Sequence, residues 1–571
     1  MSSVIWFFIR FDLNLNSIGS DFLLNYIDKY NNWLSWVDDD TKKELLSIKD
    51  DKEIEDRFYR DLEFGTGGLR GVMGAGSNRM NKYIIRKATK GLADYLLANR
   101  RNDVQRGVVI AHDSRNNSDS FALEAANVLT SAGIPVNLFK ELEPTPVLSF
   151  SVKYLHAVAG IVITASHNPK EYNGYKVYDE HGTQIVPSIA NVLIQYINAI
   201  TDIVSIPAEG DPSKLTYIGD EVVDQFVDSV YTQSILQGDV TPLRIVYTPL
   251  HGAGNKPVRK ILAKAGFSDV HVVKEQELPD GNFSTVKSPN PEEHSALQLG
   301  IELAESIDAD IIIGTDPDSD RIGVGIKNNN LYQLLTGNQI GALLVDFILS
   351  MRKDLLTPAS TIVKTVVTGD LGAVIAKDKK VQVIETLTGF KYIGDKITRF
   401  ADDVKCDFVM GYEESYGYLV GTHAQDKDAV VAALLICEMA SYYKKQGMTL
   451  VDVLSSLYQK YGYYYDSLSS YILKGKEGHE KISGIMRALR MNRDLVFNGI
   501  KEVLDFNESI NNLPKANMLK YILQDGSWIA VRPSGTEPKI KIYWSIKSEN
   551  EIKAQNRMKQ YKERFETYFS L

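Results

Sequence analysis

Cysteine is nearly absent: Cys406 and Cys437 are the two in 571 residues. Two thiols cannot build a disulfide framework, and without CxxC spacing they do not read as a zinc or redox site. Their scarcity points to a reducing cytosol. Also missing is an apolar run long enough to span a bilayer. Residues 4–9 are apolar (VIWFFI), but Arg10 and Asp12 break the run. No basic residue precedes it and no clear small-residue cleavage site follows. It therefore reads as a docked N-terminal segment or an over-early start codon, not a signal peptide. An excess of basic charge is missing too. There are 64 Lys and Arg against 73 Asp and Glu, a net charge of -9 with His neutral. That excludes the basic face of a nucleic-acid binder and disfavours anionic membranes. An anionic ligand would need positive charge concentrated locally against this background.

What is present is an ordinary globular composition, 44% hydrophobic and 24% charged. At roughly 150 residues per domain the length predicts about four domains, with no need of a disulfide or metal staple. Residues 20–62 read as helical, with Leu23, Leu24, Ile27, Trp33, Leu34 and Trp36 in a broken helical period. Beyond them, short apolar runs at 107–111, 158–164, 244–247, 310–314, 361–367 and 408–410 read as strand cores. Helical patterns separate them, such as 119–131, which predicts parallel α/β units. Three times a strand runs into a polar or Gly-rich loop and then a helix: VVIAHDSRNNS near 108, RIVYTPLHGAG near 244 and IVKTVVTGDLG near 362. The tail has a different texture and includes a strand at 528–531. The expected architecture is α/β: three similar mixed-sheet domains plus a smaller C-terminal α+β domain around a central cleft. Expected bounds are 1–210, 211–327, 328–450 and 451–571.

Five loops carry candidate chemistry, and ligands of open α/β sheets bind beyond the carboxyl ends of strands. In the first, Ser166 is presented at a strand end beside His167 and turned by Asn168-Pro169. It reads as a nucleophile or phosphate carrier, or as a Ser capping an Asx/Pro turn. In the second, Asp316, Asp318 and Asp320 sit at alternate positions after a buried strand. Three packed carboxylates repel without a cation, and oxygen ligands suit Mg²⁺. Arg321 adds positive charge beside them; the alternative is a solvated acidic turn. In the third, Arg532, Ser534, Gly535 and Thr536 form an anion cradle, or a structural Pro/Gly turn. In the fourth, Glu413 and Ser415 suit sugar hydroxyls, with Lys427 downstream in reach of the same cleft; the alternative is a turn with a solvent-facing acidic pair. In the fifth, the glycines of FGTGGLRG (64–71) and Arg70 allow close approach to a phosphate, or form a flexible entry turn.

In combination these loops resemble the α-D-phosphohexomutases, most closely the bacterial type of their phosphoglucomutase branch. The motifs are TASHNPKEYNGYKVY (164–178), GTDPDSDR (314–321), GYEESYGYLVG (411–421), RPSGTEPK (532–539), FGTGGLRG (64–71) and LTGFKYIG (387–394). The similarity runs from about residue 40 to the C-terminus. It implies that Ser166 carries a phosphoryl group, exchanges it with a hexose monophosphate through glucose 1,6-bisphosphate, and so interconverts glucose 1- and 6-phosphates. It implies Mg²⁺ on Asp316, Asp318, Asp320 and the phosphoserine, with Arg70 and Arg321 assisting. His167 and Lys176 match positions that move protons or orient the site, and Lys427 matches a lysine from the third domain. Glu413 and Ser415 would grip sugar hydroxyls. Gly389, Phe390 and Lys391 would distinguish orientations, and Thr66 would join the substrate contacts. Arg532, Ser534, Gly535 and Thr536 would hold the other phosphate. Small-molecule sugar phosphates are the implied partners, for a cytoplasmic monomer or weak homodimer. Tyr412 and the run Tyr416-Gly417-Tyr418 depart from the phosphomannomutase pattern. Phosphopentomutase and phosphomannomutase remain alternatives. From other classes come a non-catalytic sugar-phosphate-binding paralogue and a magnesium-dependent phosphatase.

Overall fold

A computed structural model describes residues 15–571 apart from 66, 330, 402, 404, 474, 495 and 535–538, and without the side chains of 15–25, 475 and 476. The apolar run at 4–9 and its two readings lie outside the described residues. The expected N-terminal helical region is three helices, Leu15–Trp36, Asp39–Ser47 and Asp51–Phe58. Their apolar face differs in detail from the expected one. Trp33 and Phe58 are buried against Tyr83, while Ile27 is 44% exposed. The aromatic contacts, rather than the aliphatic period, set how this region docks.

Three mixed sheets follow, and they share one plan. In the first, strands Ala159–Ile163, Val108–His112, Val136–Phe139 and Leu215–Ile218 are parallel neighbours in that order. Tyr172–Tyr178 then runs antiparallel between Ala159–Ile163 and Gly68–Val72. The second sheet holds parallel Ile311–Thr315, Ile245–Thr248 and Val270–Val272, with Ile322–Asn328 turning back antiparallel and pairing with Leu331–Leu335. The third holds parallel Gln382–Thr386, Ser360–Thr365 and Asp407–Glu413, with Gly417–Val420 turning back. In each, the buried strands are rich in Val and Ile and read as near-continuous apolar runs. That is the pattern of a parallel sheet covered on both faces. The fourth sheet is antiparallel throughout, in the order Tyr463–Ile472, Lys539–Ser548, Trp528–Pro533, Leu519–Leu523, Ile500–Asp505.

Each expected domain bound falls one short element early. Leu215–Ile218 lies past the 210/211 bound yet pairs with Val136–Phe139 in the first sheet. Leu331–Leu335 lies past 327/328 yet closes the second sheet. Helix Leu450–Tyr461 lies past 450/451 yet buries Leu450, Val453, Leu454 and Leu457 in the core of the preceding domains. Edge strands and peripheral helices bury one side only, so composition does not tie them to a particular sheet. One continuous core joins the first three domains through the nearly all-buried helix Ala429–Lys444. The fourth domain keeps its own core around Phe497, Tyr521, Trp544 and Phe565. Among the described residues no helix is long and apolar enough to cross a membrane.

Candidate active site

The shared plan puts one turn of each mixed sheet in the same place: where a parallel strand ends and the chain turns back antiparallel. Ile163 leads to Ser166, Thr315 to the three aspartates, and Glu413 to Ser415. Each turn contains one non-glycine residue in the left-handed region, Ser166 at φ 52°, Ser319 at φ 49° and Tyr416 at φ 63°. Such a residue costs about 1–3 kcal/mol and persists only where its surroundings over-determine it.

Those surroundings are hydrogen bonds between the turns. The Ser166 hydroxyl donates to Asp316 Oδ2 (2.7 Å) and lies 3.2 Å from His167 Nδ1. Thr145 donates through both its amide and its hydroxyl to Asp318, at 2.9 and 3.0 Å. Ile322 N donates to Tyr416 O (3.1 Å) and Ala429 N to Ser319 O (3.1 Å), binding the aspartate turn to the third domain. Ser166, Asp316, Asp318 and Asp320 are all at most 3% exposed.

The electrostatics favour a cation at the aspartate turn. Among the described residues, Asp316, Asp318 and Asp320 each offer a carboxylate oxygen within 4.8 Å of the others. Burial raises the Asp316 carboxyl well above its usual range, and the charges of Asp318 and Asp320 raise it further. Burial also pushes Asp318 up, but the Lys176 ammonium overrides it and holds that carboxyl ionised. Lys176 Nζ donates to Asp318 Oδ2 (2.9 Å) and Lys427 Nζ is 3.0 Å from Asp320 Oδ2. Even so, Asp318 Oδ1 and Asp320 Oδ1 are buried without a hydrogen-bond partner. Two orphaned acceptors among three carboxylates fit a hard divalent cation, since a buried polar atom otherwise finds a partner.

Most of the other predicted residues gather around this centre. Arg70 lies on Gly68–Val72 and donates to Asn168 Oδ1 (3.2 Å) in the serine turn. Arg321 is paired with Glu292 and sits 3.7 Å from Asp320. Burial, then Arg321 and Arg70, lowers the His167 imidazole well below its usual range, so it is neutral. Glu413 is 7% exposed and accepts from Gly389 N (2.8 Å), which joins the two sugar-recognition segments. Gly389 at φ 115° is the turn that lets helix Phe390–Phe400 start there. Phe390 packs under Lys427, whose ammonium is 5.7 Å from the ring centroid. Ser415 lies half-buried in the turn after Glu413.

A second cluster of charge comes from the fourth domain. Arg532 ends strand Trp528–Pro533, and Ser534 N donates to Lys539 O (2.7 Å), closing the loop. Gly535 and Thr536, like Thr66 of the FGTGGLRG loop, lie outside the described residues. Burial and then Arg532 lower the Lys391 ammonium to about 8. Burial, then Lys539, Arg321 and Arg532, lowers Lys541 as well. Positive groups brought together here from the third and fourth domains suit an anion.

Three residues here escaped the sequence reading. Lys541 is hidden in a strand alternation. Glu414 is raised to about 7 by burial and then by Glu413, and accepts from Thr365 (3.3 Å) and Thr368 (3.1 Å). Arg115, in the HDSR stretch of the first strand-loop echo, lies beneath the serine turn.

Family models match the chain segment by segment. Those of the phosphoglucomutase/phosphomannomutase α/β/α domains I, II and III match residues 61–203, 224–329 and 336–461, and that of the C-terminal domain matches 485–558. The chain belongs to the phosphoglucomutase/phosphomannomutase family. Among curated members of that family, a phosphoglucomutase of Staphylococcus haemolyticus is 37% identical over 545 residues, covering 91% of this chain and 96% of the relative. One of Staphylococcus epidermidis is 38% identical over 538 residues, covering 90% and 96%. The crystal structure of the Paramecium phosphoprotein pp63/parafusin, titled a phosphoglucomutase in open form, superposes with a TM-score of 0.69. It covers 90% of this chain and 96% of that one at 17% identity, and so shows a shared family fold.

Proposed function

We propose that the chain is an isomerase that interconverts glucose 1-phosphate and glucose 6-phosphate through a phosphoserine at Ser166 and glucose 1,6-bisphosphate. The observation that carries this reading is a buried serine hydroxyl 2.7 Å from a three-aspartate turn. Binding alone needs no such group. Family membership over the whole four-domain length supports it.

Phosphoryl transfer is chiefly positioning and charge neutralisation. Asp316, Asp318 and Asp320, with the phosphoserine, would hold Mg²⁺, which would supply neutralisation of charge on the transferring group. The bond from Ser166 Oγ to phosphorus breaks as the free sugar hydroxyl forms its own. The hydroxyl's proton passes to His167, an assignment supported by a buried neutral imidazole 3.2 Å from the serine oxygen. Arg70, Arg321, Lys176 and Lys427 face the charge in transit. Glu413, Ser415 and the segment Gly389-Phe390-Lys391 orient the sugar. Arg532, Ser534, Gly535 and Thr536 hold the other phosphate, and Thr66 joins the substrate contacts. The bisphosphate then turns over and returns its second phosphate to Ser166. Two groups of cations, one at the aspartate turn and one at the fourth-domain loop, support a substrate carrying phosphate at both ends. The scarcity of cysteine supports a cytoplasmic setting.

The test is incubation with glucose 1-phosphate while glucose 6-phosphate, glucose 1,6-bisphosphate and free phosphate are followed. Isomerisation with bisphosphate in transit, abolished in Ser166→Ala, is the expected result. Phosphate release without isomerisation would identify a phosphatase, and binding without either product an inactive paralogue. Faster turnover of ribose or mannose 1-phosphate would reassign the substrate.

A further inference from the structure

The mechanism above uses neither Arg115 nor Asp113, yet both side chains are fully buried. Arg115 Nη1 donates to Pro169 O (2.9 Å) and Tyr172 O (3.0 Å), and Nη2 donates to Ser166 O and Asn168 O. One guanidinium thus collects four backbone carbonyls from the seven residues that carry the nucleophile. Its own placement is equally determined. Asp113 Oδ2 lies 3.3 Å from Nε. Asp113 Oδ1 accepts from Arg115 N (2.9 Å) and from the Ser118 hydroxyl (2.7 Å). From the second domain, the Phe283 ring lies against the guanidinium, 5.0 Å from centroid to Cζ, and is itself 1% exposed.

We propose that Arg115 is a positioning residue that sets the aim of Ser166. A buried cation is costly unless its donors are used, and here the acceptors are the carbonyls of the nucleophile turn. Drawing those carbonyls to one side holds Ser166 in its left-handed conformation and turns its hydroxyl outward to Asp316. The fork geometry is essential. Five donors in a rigid plane can serve four separated carbonyls, whereas a lysine ammonium has three donors about one point. Phe283 makes the clamp an inter-domain one. The ring that shields the guanidinium from water belongs to the domain that supplies the aspartates, and Ser288 of the same segment donates to His167 O (2.9 Å). Serine and cation site are therefore registered against each other before any ligand arrives.

This inference rests on the proposed phosphoserine chemistry. The experiment compares Arg115→Lys and Phe283→Leu with the native full-length chain in Mg²⁺. It measures kcat and KM on glucose 1-phosphate at saturating glucose 1,6-bisphosphate, and amide hydrogen exchange of peptides covering 164–172. Arg115→Lys should lose about 100-fold in kcat, the penalty of a misplacement on the order of 1 Å. KM should stay within about threefold, because the phosphate-holding residues of the other domains are untouched. Exchange should rise in 164–172 and not in the neighbouring strands. Phe283→Leu should show a smaller change of the same kind. Native kcat in folded Arg115→Lys, or a loss carried by KM, would overturn the proposal. Should that variant fail to fold, Phe283→Leu decides: native kcat and unchanged exchange refute the clamp. If the native chain itself fails to isomerise, the function assignment falls and the exchange arm alone judges the clamp.

Discussion

Lys391 shows how a single side chain acquires a property its sequence position does not reveal. It follows Phe390 at the start of a helix, where burial and Arg532 bring its ammonium to about 8. It is charged below that pH and loses its proton as pH rises through it. With the charge goes attraction for a substrate phosphate, so kcat/KM should fall above about pH 8. Lys391→Arg, permanently charged, should carry the plateau to higher pH, and Lys391→Gln should remove that limb altogether. A pH profile of kcat/KM for the three proteins checks this. At this scale the sequence was legible where chemistry sits in one short string. Ser166 with His167, and the three alternating aspartates, sit in strings short enough to be singled out as candidates from the sequence. Arg115 could not. Its partners lie 51–57 residues away and are backbone carbonyls, which leave no side-chain signature.

At the scale of elements, each mixed sheet pairs a turn that carries chemistry with a supporting loop on the adjacent parallel strand. The loop after Val108–His112 supplies Arg115 to the serine turn. The loop after Ile245–Thr248 supplies Ala253 N to Pro317 O (2.8 Å), and the end of Ser360–Thr365 with its following loop supplies Thr365 and Thr368 to Glu414. These are the three strand-loop echoes visible in the sequence. Their likeness was legible, whereas their supporting role was not, because it depends on which strands become neighbours. Gly252 tests the arrangement. A Cβ there would lie 2.4 Å from Pro317 Cα, against backbone that cannot swing away. Gly252→Ala should cost about 1–3 kcal/mol, as overpacking does, and weaken divalent-cation affinity by displacing the aspartate turn. Gly484→Ala, in helix Gly475–Met491 with nothing within 4 Å, is the control. It should be neutral or stabilising by up to about 1 kcal/mol. Thermal unfolding with and without Mg²⁺ distinguishes the two.

At the scale of the whole molecule, the fourth domain meets the third through an apolar cluster in which Val366, Val367 and Leu387 pack with Phe506, Met518, Trp528, Ala530 and Tyr543, and a small polar latch crosses the same interface. Lys520 Nζ donates to Val366 O (2.7 Å) and Trp528 Nε1 to Asp370 Oδ2 (2.9 Å). Lys364, 1% exposed, pairs with Asp370 and Glu385 at 3.0 Å each and keeps the acceptor ionised. Trp528 opens the strand that Arg532 nearly closes, so the latch sets where the phosphate cradle stands over the cleft. Trp528→Phe keeps the ring and removes the donor. A hydrogen bond to a charged group is worth about 1.5–3 kcal/mol, so KM for glucose 1-phosphate should rise by roughly tenfold to a hundredfold. More bisphosphate should also escape per turnover, measured by trapping labelled glucose 1,6-bisphosphate.

The sequence by itself determined the strand cores and the three-plus-one domain plan, and it singled out the loops that carry candidate chemistry. These are local: apolar runs, turn residues and short motifs act over a few positions, and their physics survives in the linear order. Tertiary structure alone decided which element belongs to which sheet, as Leu215–Ile218, Leu331–Leu335 and Leu450–Tyr461 show. It alone brought Lys176, Lys427 and Asp320 together from three domains, and it alone lowered Lys391 and raised Glu414. Those properties arise from burial and from charges distant in sequence, which act through space and leave no pattern along the chain.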